Sequence, residues 1–135
     1  MRISLDTNIC IALMRGKVPH VRERFQRFGI GDLAMSAIVY SELATGVEKS
    51  RHPTQQAYTL AQLVARVPVL AFSQADAAEA GRVRASLEQR GLSIGPLDTL
   101  IAGQALARGL TLATNNVREF SRVKGLAIED WLAPL

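Results

Sequence analysis

The sequence predicts an α/β fold, a three-layer α/β/α sandwich around a mostly parallel sheet. Short apolar runs alternate with longer amphipathic segments, as expected when helical crossovers join parallel strands. The chain has 135 residues, 48% of them hydrophobic, and no linker or internal repeat divides it. This length and composition are typical of one domain with one core, so we predict a single domain over residues 1–135.

The predicted elements alternate along the whole chain. Strands are expected at 2–6, 33–35, 67–72, 110–114 and 125–130, and helices at 7–16, 19–28, 37–50, 53–66, 73–91 and 97–109. Thr7 or Asn8 is predicted to cap the first of these helices and Ser36 the third. Ser73, with Asp76 three residues later, has the spacing of a capping box.

Composition favours an anionic partner. The net charge is +4 and 13 of the 16 basic residues are arginine, whose planar fork suits phosphate. The single cysteine, Cys10, cannot form an internal disulfide and is predicted to lie in the core. With neither a signal-peptide pattern nor a membrane-spanning apolar run, the protein is expected to be soluble and cytoplasmic, with no membrane association.

Three acidic residues stand among apolar neighbours: Asp6, Glu42 and Asp98. Each has a local explanation, since Asp6 could cap a helix, Glu42 could face solvent and Asp98 could interact with a helix dipole. Together they can converge on the rim formed by the carboxyl ends of the strands, where open parallel sheets bind ligands. Two carboxylates about 5 Å apart repel by roughly 3 kcal/mol, so this cluster requires a cation or bound protons.

An all-oxygen cluster selects a hard cation, magnesium or manganese. A basic surface around such a cluster suits phosphodiester hydrolysis, because arginines hold the polyanion while the metal activates water. Histidine-based cleavage is disfavoured, since the two histidines, His20 and His52, lie beside prolines and away from the three acidic residues in the sequence.

These residues also carry a resemblance to a known family. The segments "LDTNICIALMRG", "SAIVYSELATGVEKS" and "GPLDTLIAGQALARGLTLATNNVREFSRVKGLAIEDW" resemble PIN-domain ribonucleases, most closely the VapC toxins of type II toxin–antitoxin modules. The resemblance runs in order from Leu5 to Trp131.

The resemblance implies that Asp6, Glu42 and Asp98 are catalytic and bind magnesium, or manganese, for RNA cleavage. It also places small polar residues around these acids, where they could orient carboxylates or water: Thr7, Asn8, Thr114 and Asn116.

The chain departs from the family pattern at Asn116, where many PIN domains have a further aspartate. An amide brings no charge and cannot take a proton from water, which puts a second tightly held metal in doubt. Glu119 could restore a carboxylate if "VREF" forms a helical turn; the alternative is a surface residue paired with Arg118 or Arg122.

The resemblance further implies a homodimer, neutralisation by a VapB-type antitoxin, and an RNA substrate, with tRNA favoured by the "TNN-x-REF" pattern. Two other functions stay open at this point. A phosphatase using Asp6 as nucleophile normally has a second aspartate where this chain has Asn8. A non-catalytic RNA-binding protein or decayed nuclease would explain Asn116.

Overall fold

A single parallel sheet organises the chain. The computed structural model describes residues 1–134, and its five strands lie in the order β3-β2-β1-β4-β5. The strands are β1 (Ile3–Leu5), β2 (Leu33–Ser36), β3 (Val69–Leu70), β4 (Thr111–Ala113) and β5 (Ile128–Glu129). All four neighbouring pairs are parallel, which confirms the predicted sheet.

Within residues 1–134, seven helices connect these strands: α1 (Thr7–Arg15), α2 (Pro19–Gln26), α3 (Ala37–Glu48), α4 (Pro53–Arg66), α5 (Gln74–Gln89), α6 (Pro96–Arg108) and α7 (Val117–Phe120). Helix α1 packs against α2, α3 and α4, while α5 packs mainly against α6. The arrangement confirms the predicted α/β sandwich. None of the helices in this part of the chain has both the length and the apolar character needed to span a bilayer.

The direction of chain travel reverses beside β1. From this central strand the chain moves outward to β2 and β3, then returns to place β4 on the other side of β1. Such a switch point opens a crevice at the carboxyl ends of the two central strands, because the loops that follow them lead in opposite directions. In this chain the crevice lies between Asp6, after β1, and Thr114, after β4.

The caps of two helices match the sequence prediction and one does not. Ser36 accepts a hydrogen bond from Ile38 N at 3.0 Å, and the capping box of Ser73 and Asp76 is formed in both directions. Helix α1, however, is capped by Asp6, as the local explanation for that acid proposed, and not by Thr7 or Asn8. The strand ends one residue earlier than predicted, at Leu5, so the extended residue before the helix is the aspartate.

Asp76 also joins the beginning of α5 to the end of α6. Its buried carboxylate accepts two hydrogen bonds from Arg108, at 3.2 and 2.9 Å, and one from Gln104 Nε2 at 3.0 Å. Burial alone would raise the pKa of Asp76, but hydrogen bonds from Arg108, Ser73 and Gln104 outweigh it and hold the pKa well below its usual range. The ionised carboxylate therefore holds the start of α5 against the end of α6.

Helices α5 and α6 approach most closely at Gly103. A Cβ atom at this position would lie 2.5 Å from Ala80 Cα and 2.6 Å from Ala80 N. Only a residue without a side chain fits such a crossing, because real Cβ atoms essentially never come within 3.0 Å of a neighbour. Gly103 therefore sets the position of the helix that carries Asp98 near its N-terminus.

The core includes both Cys10 and Trp131 of the C-terminal segment. Cys10 is fully buried, as predicted, and burial raises the pKa of its thiol. Trp131, also fully buried, stacks on Phe28 with ring centroids 5.6 Å apart. Arg24 on α2 donates hydrogen bonds to the carbonyl oxygens of Trp131 and Ala133, at 2.9 and 2.6 Å.

Candidate active site

The first acid is fixed at the junction of the two central strands. Leu5 and Ala113 pair at the ends of β1 and β4, so the residues that follow them are brought together. Thr114 Oγ1 donates a hydrogen bond of 2.7 Å to Asp6 Oδ2, and Asp6 N donates to Ala113 O at 2.9 Å. Burial raises the pKa of Asp6, while the hydrogen bonds from Thr114 and Thr7 oppose that rise.

Thr7 connects the first acid to the second. Its backbone N–H donates to Asp6 Oδ1 at 2.9 Å, and its hydroxyl donates to Glu42 Oε1, also at 2.9 Å. Glu42 lies in the second turn of α3 and is only partly exposed. Glu42 is therefore not a fully solvated residue on an open helix face, because one of its carboxylate oxygens accepts the hydrogen bond from Thr7.

Asp98, the third acid, occupies the first turn of α6. It lines the same cavity as Asp6 and Glu42, a space of about 300 Å³ at the switch point. Burial and nearby negative charge together raise the pKa of Asp98 to about 6, with burial the larger cause. The contributing charges belong to Asp6, Glu42 and Glu119. A helix dipole alone would favour ionisation, so burial, reinforced by the like charges, outweighs the dipole at this group.

The cavity wall is completed by three asparagines: Asn8, Asn115 and Asn116. Asn116 N donates to Thr114 Oγ1 at 2.9 Å, so the hydroxyl that orients Asp6 is itself held in place. Asn8 Nδ2 donates to Asn115 Oδ1 at 3.2 Å, and all three amide side chains line the cavity. The sequence alone assigned Asn115 no individual role. Its neighbour Asn116 attracted attention because it departs from a family pattern, whereas only the fold shows that Asn115 faces Asn8.

Glu119 lies next to the cavity rather than in its wall. It belongs to α7, the helical turn expected for "VREF", and its charge contributes to the raised pKa of Asp98. Within residues 1–134, Glu119 forms no ion pair with Arg118 or Arg122. Arg122 instead donates to Ser93 O at 3.1 Å, so the predicted alternative of a paired surface glutamate is not observed.

The donors around the cavity suit a hydrated hard cation. The groups that surround the space are carboxylate, amide and hydroxyl oxygens, which are the ligands that magnesium and manganese prefer. Across residues 1–134, no three acidic, histidine or cysteine side chains stand close enough to enclose an ion by themselves. An ion in this cavity would therefore keep waters in its coordination shell, as hard cations such as magnesium usually do.

Comparison with known proteins identifies the family of this chain. Residues 3–126 match the PIN domain family. The chain is 43% identical to the tRNA(fMet)-specific endonuclease VapC of Shigella flexneri over 131 residues, which cover 97% of this chain and 98% of that protein.

Solved structures of related proteins also match the fold of this chain. The crystal structure of DNA-bound VapBC from Salmonella typhimurium contains a chain that is 40% identical, with a TM-score of 0.91 and coverage of 97% of this chain and 98% of that one. VapBC2 from Rickettsia felis, bound to a promoter DNA fragment, gives 36% identity, the same TM-score and coverage of 97% and 99%. The chain therefore belongs to the VapC ribonucleases of the PIN-domain family.

Proposed function

We propose that this chain is the toxin of a type II toxin–antitoxin module and a magnesium-dependent endoribonuclease that hydrolyses tRNA, with the whole of residues 1–135 acting as one PIN domain. One observation carries the catalytic part of the proposal: Asp6, Glu42 and Asp98 surround one cavity, and the crowding of their charges contributes to a pKa near 6 for Asp98. A site built to bind a cation explains why such repulsion is retained at the expense of stability.

The proposed catalytic residues are Asp6, Glu42 and Asp98, which would also hold the metal. Magnesium, or manganese in its place, supplies activation of water and neutralisation of charge on the phosphate oxygens when bound. The protein's own contribution is orientation. Thr7 and Thr114 donate hydrogen bonds to the carboxylates and fix which oxygens remain free to face the cavity.

The roles of the remaining polar residues follow from their contacts. Asn116 supports Thr114 through its backbone N–H, and Asn8 supports Asn115 through its side-chain amide. Glu119 adds negative charge beside Asp98, which suits a water-mediated contact to the metal.

The proposed substrate and partners rest on the relatives. The Shigella flexneri protein is an endonuclease specific for tRNA(fMet), and the chains from Salmonella typhimurium and Rickettsia felis come from crystal structures of VapBC and VapBC2. We extend these properties to the present chain as a tRNA substrate and a VapB-type antitoxin. Assembly as a homodimer and a cytoplasmic location complete the proposal.

The test compares glutamates on one helix. Glu42→Gln removes a charge from the cavity, while Glu48→Gln removes one from an exposed position at the end of α3. We expect purified protein to cleave tRNA with magnesium, Glu42→Gln to lose at least about 100-fold in rate, and Glu48→Gln to behave as wild type. Undiminished cleavage in EDTA would exclude the metal mechanism.

Asn116 is the observation that favours a non-catalytic RNA-binding protein instead. That alternative predicts no cleavage of any RNA by the wild-type protein with magnesium or manganese. It also predicts that growth arrest on induced expression survives the substitution Asp98→Asn.

A further inference from the structure

Two grooves extend from the acidic cavity along the helices on one side of the molecule. The first, about 560 Å³, lies between α1, α3 and α4 and shares Glu42 with the acidic cavity. The second, about 460 Å³, lies between α1, α2 and α4 and shares Met14 and Thr59 with the first. The three spaces therefore lie side by side on the surface as a path of adjacent grooves, each sharing lining residues with the next.

Four basic side chains line this path: Arg15 and Lys17 in the first groove, and Arg22 and Arg66 in the second. Within the described chain, residues 1–134, none of the four forms an ion pair with an acidic group. Arg22 donates to Gly16 O at 3.1 Å, and the Arg66 guanidinium lies 4.9 Å from the centre of the Phe25 ring. Both contacts position the side chain without neutralising its charge.

The arginines that project from α5 and from the end of α6 are arranged differently. Arg82 pairs with Glu79 at 2.7 Å, Arg84 pairs with Glu88 at 2.9 Å, and Arg108 binds the buried Asp76 at 2.9 Å. Their positive charge is compensated locally. The positive charges behind the net charge of +4 are thus not all available to bind a polyanion. The path from the acidic cavity is one place where basic side chains have no acidic partner within the described residues.

We propose that Arg15, Lys17, Arg22 and Arg66 form an RNA track that binds the phosphates on one side of the bond to be cleaved. The assignment rests on the proposed ribonuclease function. It follows from three properties of the path: continuity with the acidic cavity at Glu42, unpaired positive charge along its length, and an apolar floor including Ile11 that can contact bases or ribose.

Counterion release gives the expected size of the effect. Each phosphate contact to a single strand contributes about 0.7 to the slope of log affinity against log salt concentration. Two lost contacts should therefore lower that slope by about 1.4 and weaken binding by about 25-fold at 0.1 M salt.

The experiment measures binding without cleavage. Fluorescence anisotropy with a fluorescein-labelled single-stranded RNA of 12 nucleotides, in EDTA, compares three double variants of equal charge loss: Arg15→Gln with Lys17→Gln, Arg22→Gln with Arg66→Gln, and, as control, Arg82→Gln with Arg84→Gln. We expect both track variants to weaken binding by about 25-fold and lower the salt slope. The control should stay within about twofold, and circular dichroism checks that all three fold.

Two binding results would overturn the RNA track: unchanged RNA affinity in either track variant, or equal weakening in the control variant. A third would be normal RNA binding by the track variants together with failure to bind a co-expressed VapB-type antitoxin, which would make the path a peptide site. Because the acids remain intact and no metal is present, these results are independent of the cleavage test. A failure of cleavage with normal, track-dependent binding would instead count against the proposed ribonuclease function alone.

Discussion

Replacing Gly103 by alanine tests the helix crossing that positions Asp98. The added Cβ would lie 2.5 Å from Ala80 Cα, where ordinary contacts are 3.4–4 Å, so the helices must separate by roughly 1 Å. The obstructing atoms belong mostly to the backbone of α5 and cannot rotate away. Overpacking of this kind costs about 2–3 kcal/mol, and the better helix propensity of alanine returns about 1 kcal/mol.

Gly103→Ala should therefore destabilise the fold by about 1–2 kcal/mol. For a chain of this length, each kcal/mol corresponds to roughly 3–5 °C in Tm, so thermal unfolding followed by circular dichroism should show a decrease of roughly 3–10 °C. RNA cleavage should fall as well, because displacement of a catalytic group by about 1 Å can reduce a rate by about 100-fold.

Gly81→Ala is the matched control on the facing helix. This glycine lies in the interior of α5 next to Ala80, and a Cβ there would meet nothing within 4 Å. The same substitution should thus stabilise the protein by about 0.5–1 kcal/mol and raise Tm by roughly 2–5 °C. A Tm for Gly103→Ala equal to or above that of wild type would refute the close crossing of α5 and α6.

Three further substitutions test the site and its support. Asp98→Asn in EDTA should raise Tm at pH 7.5, because burial and the charges of its neighbours both disfavour an ionised Asp98. Since its folded pKa of about 6 lies above the unfolded value of 3.8, the native wild-type protein gains its proton at a higher pH than the unfolded chain, so the difference in Tm should shrink as pH falls below 6 and disappear only below about 3.8. Thr114→Val removes the donor to Asp6 and should lower the rate of RNA cleavage by about 10–100-fold while the protein stays folded. Asp76→Asn breaks a buried ionic tie between α5 and α6 and should lower the free energy of unfolding by about 3 kcal/mol, measured in urea.

Each of these predictions has a result that contradicts it. A lower Tm for Asp98→Asn at pH 7.5 would mean that Asp98 is stabilising and not crowded by like charge. If Thr114→Val cleaved RNA at the wild-type rate, the Thr114 hydroxyl would have no role in catalysis. The control Thr45→Val loses only a hydrogen bond within α3 and should leave the cleavage rate unchanged. Glu79→Gln disrupts an exposed ion pair and serves as the control for Asp76→Asn. If both substitutions lowered the free energy of unfolding equally, burial of Asp76 would not be the cause of its effect.

The location of the acids could be predicted from sequence because parallel strands share an edge. Asp6 follows the first predicted strand, and Asp98 lies near the start of a helix that begins at the same edge, so their convergence on one cavity needs no knowledge of side-chain contacts. The partners of these acids needed the structure. The register of Leu5 opposite Ala113 decides that Thr114 reaches Asp6, and no local pattern in either segment contains that register.

Edge strands were the least accurate part of the prediction. The apolar run at 67–72 forms only the two-residue β3, and the segment at 125–130 forms only β5. Pro68 has no N–H to donate, although its carbonyl accepts from Met35 N at 3.0 Å, and each edge strand has one neighbour instead of two. Apolar content therefore predicted where these strands lie, while pairing limited their length.

The two hydrogen bonds of Thr7 constrain how such a site can change during evolution. One small residue fixes Asp6 through its backbone and Glu42 through its hydroxyl, so the two carboxylates share a support. Groups that share a partner change non-additively. Substitutions at positions 6, 7 and 42 should therefore have non-additive effects, although 35 residues separate Thr7 from Glu42 along the chain.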